Sequence, residues 1–204
     1  MRKSAFFPFL FVFSFLAAVP VQAAVPKSLG KYGYWSTYKM IEGKNPVCYM
    51  SLTAKAPTPK AKSKKKTRKR GDVVLMITHR PAEGATDVIS YTAGAKFRPA
   101  SDVTFKMGKK EFNLFTQGDT AWARDQATDH AVAMALRENT SVSVFGVASN
   151  GVTIADTVKL NGFADAYYRI GKACDLPVEP PPKPEKKKVK TTSPKKTETK
   201  SKAR

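Results

Sequence analysis

Cysteine and histidine are scarce in this chain of 204 residues, with two of each. A zinc ribbon or finger is excluded, because neither His79 nor His130 stands at ligand spacing from Cys48 or Cys174. The sequence has no G-x-S-x-G elbow, no glycine-rich phosphate loop, no C-x-x-C and no H-E-x-x-H. No cofactor is therefore expected, and the chain reads as a non-enzyme. Acid is scarce too: 16 Asp and Glu stand against 36 Lys and Arg, a formal net charge of +20. After the first 25 residues no apolar run approaches the length needed to span a bilayer.

What is present begins with an export signal. Arg2 and Lys3 form a positive start, residues 5–19 are apolar and rich in Phe, and Val21-Gln22-Ala23 offers small residues for cleavage. Residues 1–23 are read as a signal peptide and 24–31 as a short linker. An uncleaved anchor is the competing reading, although Pro8 and Pro20 interrupt the run. With the signal cleaved, no transmembrane span is expected. The protein is placed in the periplasm or cell envelope, or secreted, where thiols are normally oxidised. Cys48 and Cys174 can then pair only with each other, the blander alternative being two separately buried thiols.

The positive charge is unevenly placed. Residues 60–70 hold eight basic side chains and no acid, and residues 178–204 hold ten basic and three acidic ones. With Arg2 and Lys3 these stretches carry 17 of the 20 net charges. Chain of that charge density cannot bury enough apolar surface to offset its ordering entropy. The expectation is a basic loop insertion at 54–71 and a disordered Pro/Lys-rich tail at 178–204. Lys60, Lys62, Lys64, Lys65, Lys66, Arg68, Lys69 and Arg70, with Lys186, Lys187 and Lys188, are the candidate contacts to anionic surfaces: lipid headgroups, lipopolysaccharide or a host surface. Neither run interleaves aromatics, so no specific nucleic-acid partner is expected.

Residues 32–177 read as one mainly β, β-sandwich-like domain with two short helices. Residues 101–107 alternate, with Val103, Phe105 and Met107 on one face, and turn at Gly108 into a returning strand at 111–116. Residues 72–79 are apolar on both faces, which suggests a strand in the middle of a packed sheet. Residues 141–148 and 152–158 form a hairpin about Asn150-Gly151. One helix is expected over 129–138 behind Thr128 as N-cap, and another over 161–173. The second places Phe163, Ala166, Tyr167, Ile170 and Cys174 on one face, within reach of Cys48 in a strand at 46–52.

Chemistry is thinly represented. His79, with Glu83 or Asp87 to orient it, is the best candidate for a general base, against the reading of a strand-end histidine bonded to its neighbours. His130 reads as solvated. Trp122 is either an exposed binding anchor or a residue packed under a loop, and Trp35 with Tyr32, Tyr34 and Tyr38 reads as packing.

The order of Val47-Cys48-Tyr49-Met50-Ser51, Arg70-Gly71-Asp72 through Thr78-His79-Arg80-Pro81, Phe112-Asn113-Leu114-Phe115-Thr116 with Gly118-Asp119-Thr120-Ala121-Trp122, and Leu160-Asn161-Gly162-Phe163 closing at Lys172-Ala173-Cys174 resembles the invasion-associated locus B family of alphaproteobacterial exported proteins. The resemblance covers residues 35–174. It implies a periplasmic or envelope protein with a β-sandwich-like domain, linked in some pathogenic members to host-cell invasion, and implies no catalytic residue or cofactor. The basic insertion and tail depart from that pattern. The expected function is thus a non-enzymatic exported protein contributing to host-cell invasion or envelope integrity. The alternative is an envelope-modifying hydrolase using His79 with a carboxylate.

Overall fold

The structure, a computed structural model, describes residues 25–56 and 70–181. The signal segment 1–23, Lys60, Lys62, Lys64, Lys65, Lys66, Arg68, Lys69, Lys186, Lys187, Lys188 and the tail beyond residue 181 lie outside the described residues.

Among the described residues, ten strands form one antiparallel sheet: β1 (Lys27–Tyr32), β2 (Trp35–Glu42), β3 (Asn45–Lys55), β4 (Asp72–Arg80), β5 (Ala85–Thr92), β6 (Asp102–Met107), β7 (Lys110–Gln117), β8 (Thr120–Trp122), β9 (Ser141–Val147) and β10 (Thr153–Lys159). Their order across the sheet is β1-β2-β3-β4-β5-β8-β7-β6-β9-β10. Among the described residues there are two α-helices, α1 (Gln126–Glu138) and α2 (Phe163–Ala173). No described helix is long and apolar enough to cross a membrane.

The fold is mainly β with two short helices, and its sandwich-like core is made by one sheet closing over itself. Tyr91 on β5 packs edge-on against Phe105 on β6, with ring centroids 5.6 Å apart, and donates its hydroxyl to Asp156 on β10. Buried side chains from β3 to β5 and from β6, β9 and β10 thus join one core. Each strand serves it through the period-2 alternation of the pleat. In β4, Val73, Leu75, Ile77 and His79 point inward and are buried. Val74 and Met76 on its other face are only half-buried, so β4 is central in the strand order yet covered on one side alone.

Several segments differ from the sequence expectation. Most of the stretch read as an N-terminal linker forms β1, an edge strand with little burial of its own that is held by backbone pairing to β2. Helix α1 starts three residues earlier than expected, because Asp125 and not Thr128 is its N-cap: the Asp125 carboxylate accepts the Thr128 backbone N–H at 2.7 Å. The same bond holds the Asp125 carboxyl below the usual carboxylate range.

Helix α2 lies on β1 to β4. Its entry needs glycine twice. Gly33 (φ 57°) and Gly162 (φ 85°) sit back to back, and a Cβ on either would come within 2.2 Å of a backbone oxygen, of Asn161 or of Tyr32. That approach seats the β1–β2 turn on the start of the helix. Phe163 then meets Trp35 edge-on at 5.1 Å, and burying each such side chain contributes about 1.5–3 kcal/mol.

Candidate functional site

The inward row of the sheet at its α2 end is Lys39, Cys48 and His79, paired across β2, β3 and β4. Cys174, the C-cap of α2, reaches this row and forms a disulfide with Cys48, with Cα atoms 5.9 Å apart and a sequence separation of 126. The bond joins the final helix to the third strand and encloses most of the domain. Lys39 adds a second tie, donating to the Ala173 carbonyl at 2.6 Å.

His79, one strand over from Cys48, is fully buried. Its Nδ1 accepts the Asp87 backbone N–H at 3.0 Å, so the neutral ring carries its proton on Nε2. That N–H is buried and has no partner among the described residues. Burial lowers the His79 pKa, opposed by the nearby Asp87 carboxylate. A neutral histidine whose only acceptor nitrogen is occupied has no lone pair to offer a substrate. Its place is structural: the ring packs edge-on against Tyr167 of α2 at 5.7 Å.

Asp87 is the hub of the cluster. It is buried, and it holds a left-handed backbone conformation (φ 61°) that is unusual for a residue other than glycine. Its Oδ1 accepts the Tyr167 hydroxyl at 2.6 Å, and its Oδ2 lies 2.7 Å from Nδ1 of His130. Strand β5, α1 and α2 therefore meet on one carboxylate. Burial first, and then the bond to Asp87, pushes the Tyr167 phenol upward. His130 is solvent-facing as expected, with its side chain 63% exposed, but it is tethered to Asp87. The sequence pairing of Asp87 with His79 is thus redirected: the carboxylate orients His130 and Tyr167, while His79 takes the backbone N–H. Glu83 pairs with Arg80 at 3.6 Å and takes no part.

Asp129, beside this cluster, went unnoticed in the sequence. Where β8 ends, α1 takes over the exposed edge of β5, and the Asp129 carboxylate accepts the Ile89 backbone N–H at 2.8 Å. Burial is the main reason its pKa is raised to about 6, with Asp87 and Asp125 adding repulsion and the Ile89 bond opposing.

Arg70 departs from the expected role of the basic run. Its guanidinium bonds both carboxylate oxygens of Asp156, at 2.5 and 3.1 Å, and the Ala93 carbonyl at 3.1 Å. With its side chain 15% exposed and its charge neutralised, it fastens β10 to the start of β4 and is not available to an external anion. Burial and then the bond to Asp156 push the Tyr91 phenol far above its usual range.

Several other cations on the described body also pair with acids, among them Arg80 with Glu42, Lys106 with Glu111 at 2.6 Å, Arg124 with Asp102 at 2.7 Å and Lys55 with Asp72 at 2.7 Å. The described residues hold 17 Lys and Arg against 14 Asp and Glu, a surplus of only three. Trp35 is buried against Phe163. Trp122 is half-buried on the outer face of the sheet, opposite Ser90 and Phe115. No group of three or more potential metal ligands occurs among the described residues.

These features define a class: a disulfide-closed, antiparallel β domain with a near-neutral body, compatible with an extracytoplasmic location. The chain matches the family described as Invasion associated locus B (IalB) protein over residues 40–171, and it belongs to that family. Among solved structures it is similar to the crystal structure of invasion associated protein b from Bartonella henselae. That likeness has 17% sequence identity and a TM-score of 0.52, and it covers 74% of this chain and 97% of that one. At that identity it shows a shared fold. No curated protein matches the chain.

Proposed function

We propose that this member of the invasion-associated family is an exported, non-enzymatic envelope protein that contributes to host-cell invasion or envelope integrity. Its basic loop and tail hold a rigid, nearly neutral body against anionic surfaces. One observation carries the reading: the described body has a surplus of only three positive charges, and 15 of the chain's 20 net charges lie on residues 57–69 and 182–204. Lysines at that density attract phosphate-bearing surfaces at about 1 kcal/mol per residue near the surface, and the attraction is screened by salt. The disulfide and the family membership support placement in the periplasm, the envelope or outside the cell.

The test is co-sedimentation with phosphatidylglycerol vesicles, phosphatidylcholine vesicles and lipopolysaccharide. The full chain is compared with a form lacking residues 182–204 in which Lys60, Lys62, Lys64, Lys65, Lys66, Arg68 and Lys69 are replaced by Gln. Binding to the anionic surfaces alone, lost in the altered form and at about 0.5 M salt, is the expected result. Equal binding by both forms refutes the tethering.

A hydrolase remains the second reading, with the base moved from His79 to His130; what favours it is the His130–Asp87 pair, with the His130 side chain 63% exposed to solvent. His130→Ala should then abolish any release of soluble fragments from purified envelope material. Unchanged release, or none from the unaltered protein, removes this reading.

A further inference from the structure

The outer face of the sheet, opposite the core, is chemically unlike the rest of this basic chain. Inward residues such as Met50, Ile77 and Ile89 are fully buried, and α2 lies over that inner side through Phe163, Tyr167 and Cys174. The pleat sends the alternate residues outward. Across β2, β3, β4, β5 and β8 these form two long cross-strand rows: Tyr38-Tyr49-Thr78-Val88 and Ser36-Ser51-Met76-Ser90-Trp122. All are half-buried; α2 packs on the opposite, inward side, and α1 is tied to β5 through the inward Asp87 and the Ile89 backbone N–H.

Neither row contains a carboxylate, an ammonium or a guanidinium. The nearest charges in these strands, Arg80 and Glu42, sit at one end and neutralise each other. At the far side Phe115 ends the platform, with Arg124 over its ring at 5.9 Å and itself paired to Asp102. Tyr38 and Tyr49 are stacked, with centroids 5.0 Å apart and 22° between planes. They form a flat aromatic surface one row over from Trp122, with Tyr49 three strand spacings away, about 14 Å measured across the strands, and Tyr38 four. Burial and the neighbouring Tyr38 push the Tyr49 phenol upward, which keeps it an uncharged hydrogen-bonding group.

The geometry points to this face as a binding platform for an uncharged, extended β-linked glycan, a role that rests on reading the rigid body as a binding module. The chemistry matches in three respects. A pyranose presents a face of C–H groups that packs on aromatic rings. Its hydroxyls need partners of both donor and acceptor kind, which Ser51, Thr78, Ser90 and the tyrosine hydroxyls supply. A neutral ligand also suits a surface free of net charge in a chain of +20. A second copy of this chain fits less well, because mating two such faces would bury serine and threonine hydroxyls without assured partners.

The full chain, with its disulfide intact, is titrated with chitotetraose and cellotetraose at about 0.5 M salt, where contacts through the basic segments are screened. Binding is read by tryptophan fluorescence and amide chemical shifts. Trp122 is the only one of the two tryptophans with solvent access among the described residues, so it reports on this face. The expected result is saturable binding of at least one oligosaccharide, with shifts confined to the outward residues of β2 to β5 and β8. Tyr49→Ala and Trp122→Ala should each weaken it about tenfold with the circular dichroism unchanged. The shifts in unaltered protein stand as evidence even if one variant fails to fold. No saturable binding, shifts elsewhere, or folded variants with full affinity overturn the proposal. So does a stable dimer that Tyr49→Lys dissociates. Tyr49→Ala should leave sedimentation with phosphatidylglycerol vesicles intact, so this platform and the basic tether can fail independently.

Discussion

Reducing the Cys48–Cys174 bond should remove a large part of the protein's stability. The bond closes a loop with a sequence separation of 126. Loop-closure entropy for that length corresponds to about 5 kcal/mol at 25 °C, and losses on removing native disulfides from small secreted domains run at about 2–5 kcal/mol. The tertiary structure also sets where the loss is felt. The bond holds the C-terminus of α2, whose Tyr167 carries one of the three contacts on Asp87, so loosening that helix also unseats His79 and His130. Urea unfolding followed by far-ultraviolet circular dichroism, with and without dithiothreitol and on the Cys48→Ser/Cys174→Ser double variant, measures the effect. We expect a loss of about 2–5 kcal/mol in both reduced and substituted protein. Deleting residues 57–69 from inside the same loop should alter the bond's contribution by only about 0.1 kcal/mol, because closure entropy varies with the logarithm of length. A loss below about 1 kcal/mol on reduction, or a deletion that changes the bond's effect by several kcal/mol, would refute the loop-closure reasoning.

Three further outcomes follow from particular contacts. Arg70→Ala leaves the buried Asp156 carboxylate without its counter-ion and should cost about 3–5 kcal/mol in urea melts, whereas Tyr91→Phe, which removes one hydrogen bond to the same carboxylate, should cost about 1 kcal/mol. Asp129 has a folded-state pKa of about 6, above its unfolded value, so its contribution is fully present below about pH 4 and is lost as the pH rises through 6. Asp129→Asn should therefore stabilise the protein by about 1–2 kcal/mol at pH 7.5 but not at pH 4, as read from urea midpoints, provided the new amide oxygen still accepts the Ile89 N–H. Gly162→Ala places a methyl against the Tyr32 carbonyl at a positive φ and should lower stability by at least about 2 kcal/mol, detectable as a drop in thermal midpoint.

The strongest β signals in the sequence came from segments whose alternation is set by the core. Val103, Phe105 and Met107 alternate because one face of β6 is buried and the other is wet, and the strand is where that pattern places it. Strands β1 and β5 escaped the same test for opposite reasons. In β1 neither face is deeply buried, so hydrogen bonds to β2 hold it with no hydrophobic period to betray it. In β5 the inward series is Asp87, Ile89 and Tyr91, and a carboxylate at an inward position breaks the apolar alternation. Asp87 stays inside because three partners from β4, α1 and α2 surround it, and none of those neighbours is adjacent in sequence.

Local composition was enough to put Cys174 on a buried helix face within reach of Cys48, to separate a near-neutral body from lysine-dense segments, and to indicate the family, since each of these depends on residue type and short-range spacing. Only the folded chain could decide that Arg70 turns inward to Asp156, 86 positions away, that His79 spends its acceptor nitrogen on a backbone amide, and that Tyr38, Tyr49 and Trp122 share one uncharged face. The physical reason is the same throughout. A side chain's charge, protonation and exposure are set by whatever lies within a few ångströms of it, and in a sheet that closes over itself those neighbours come from distant parts of the chain.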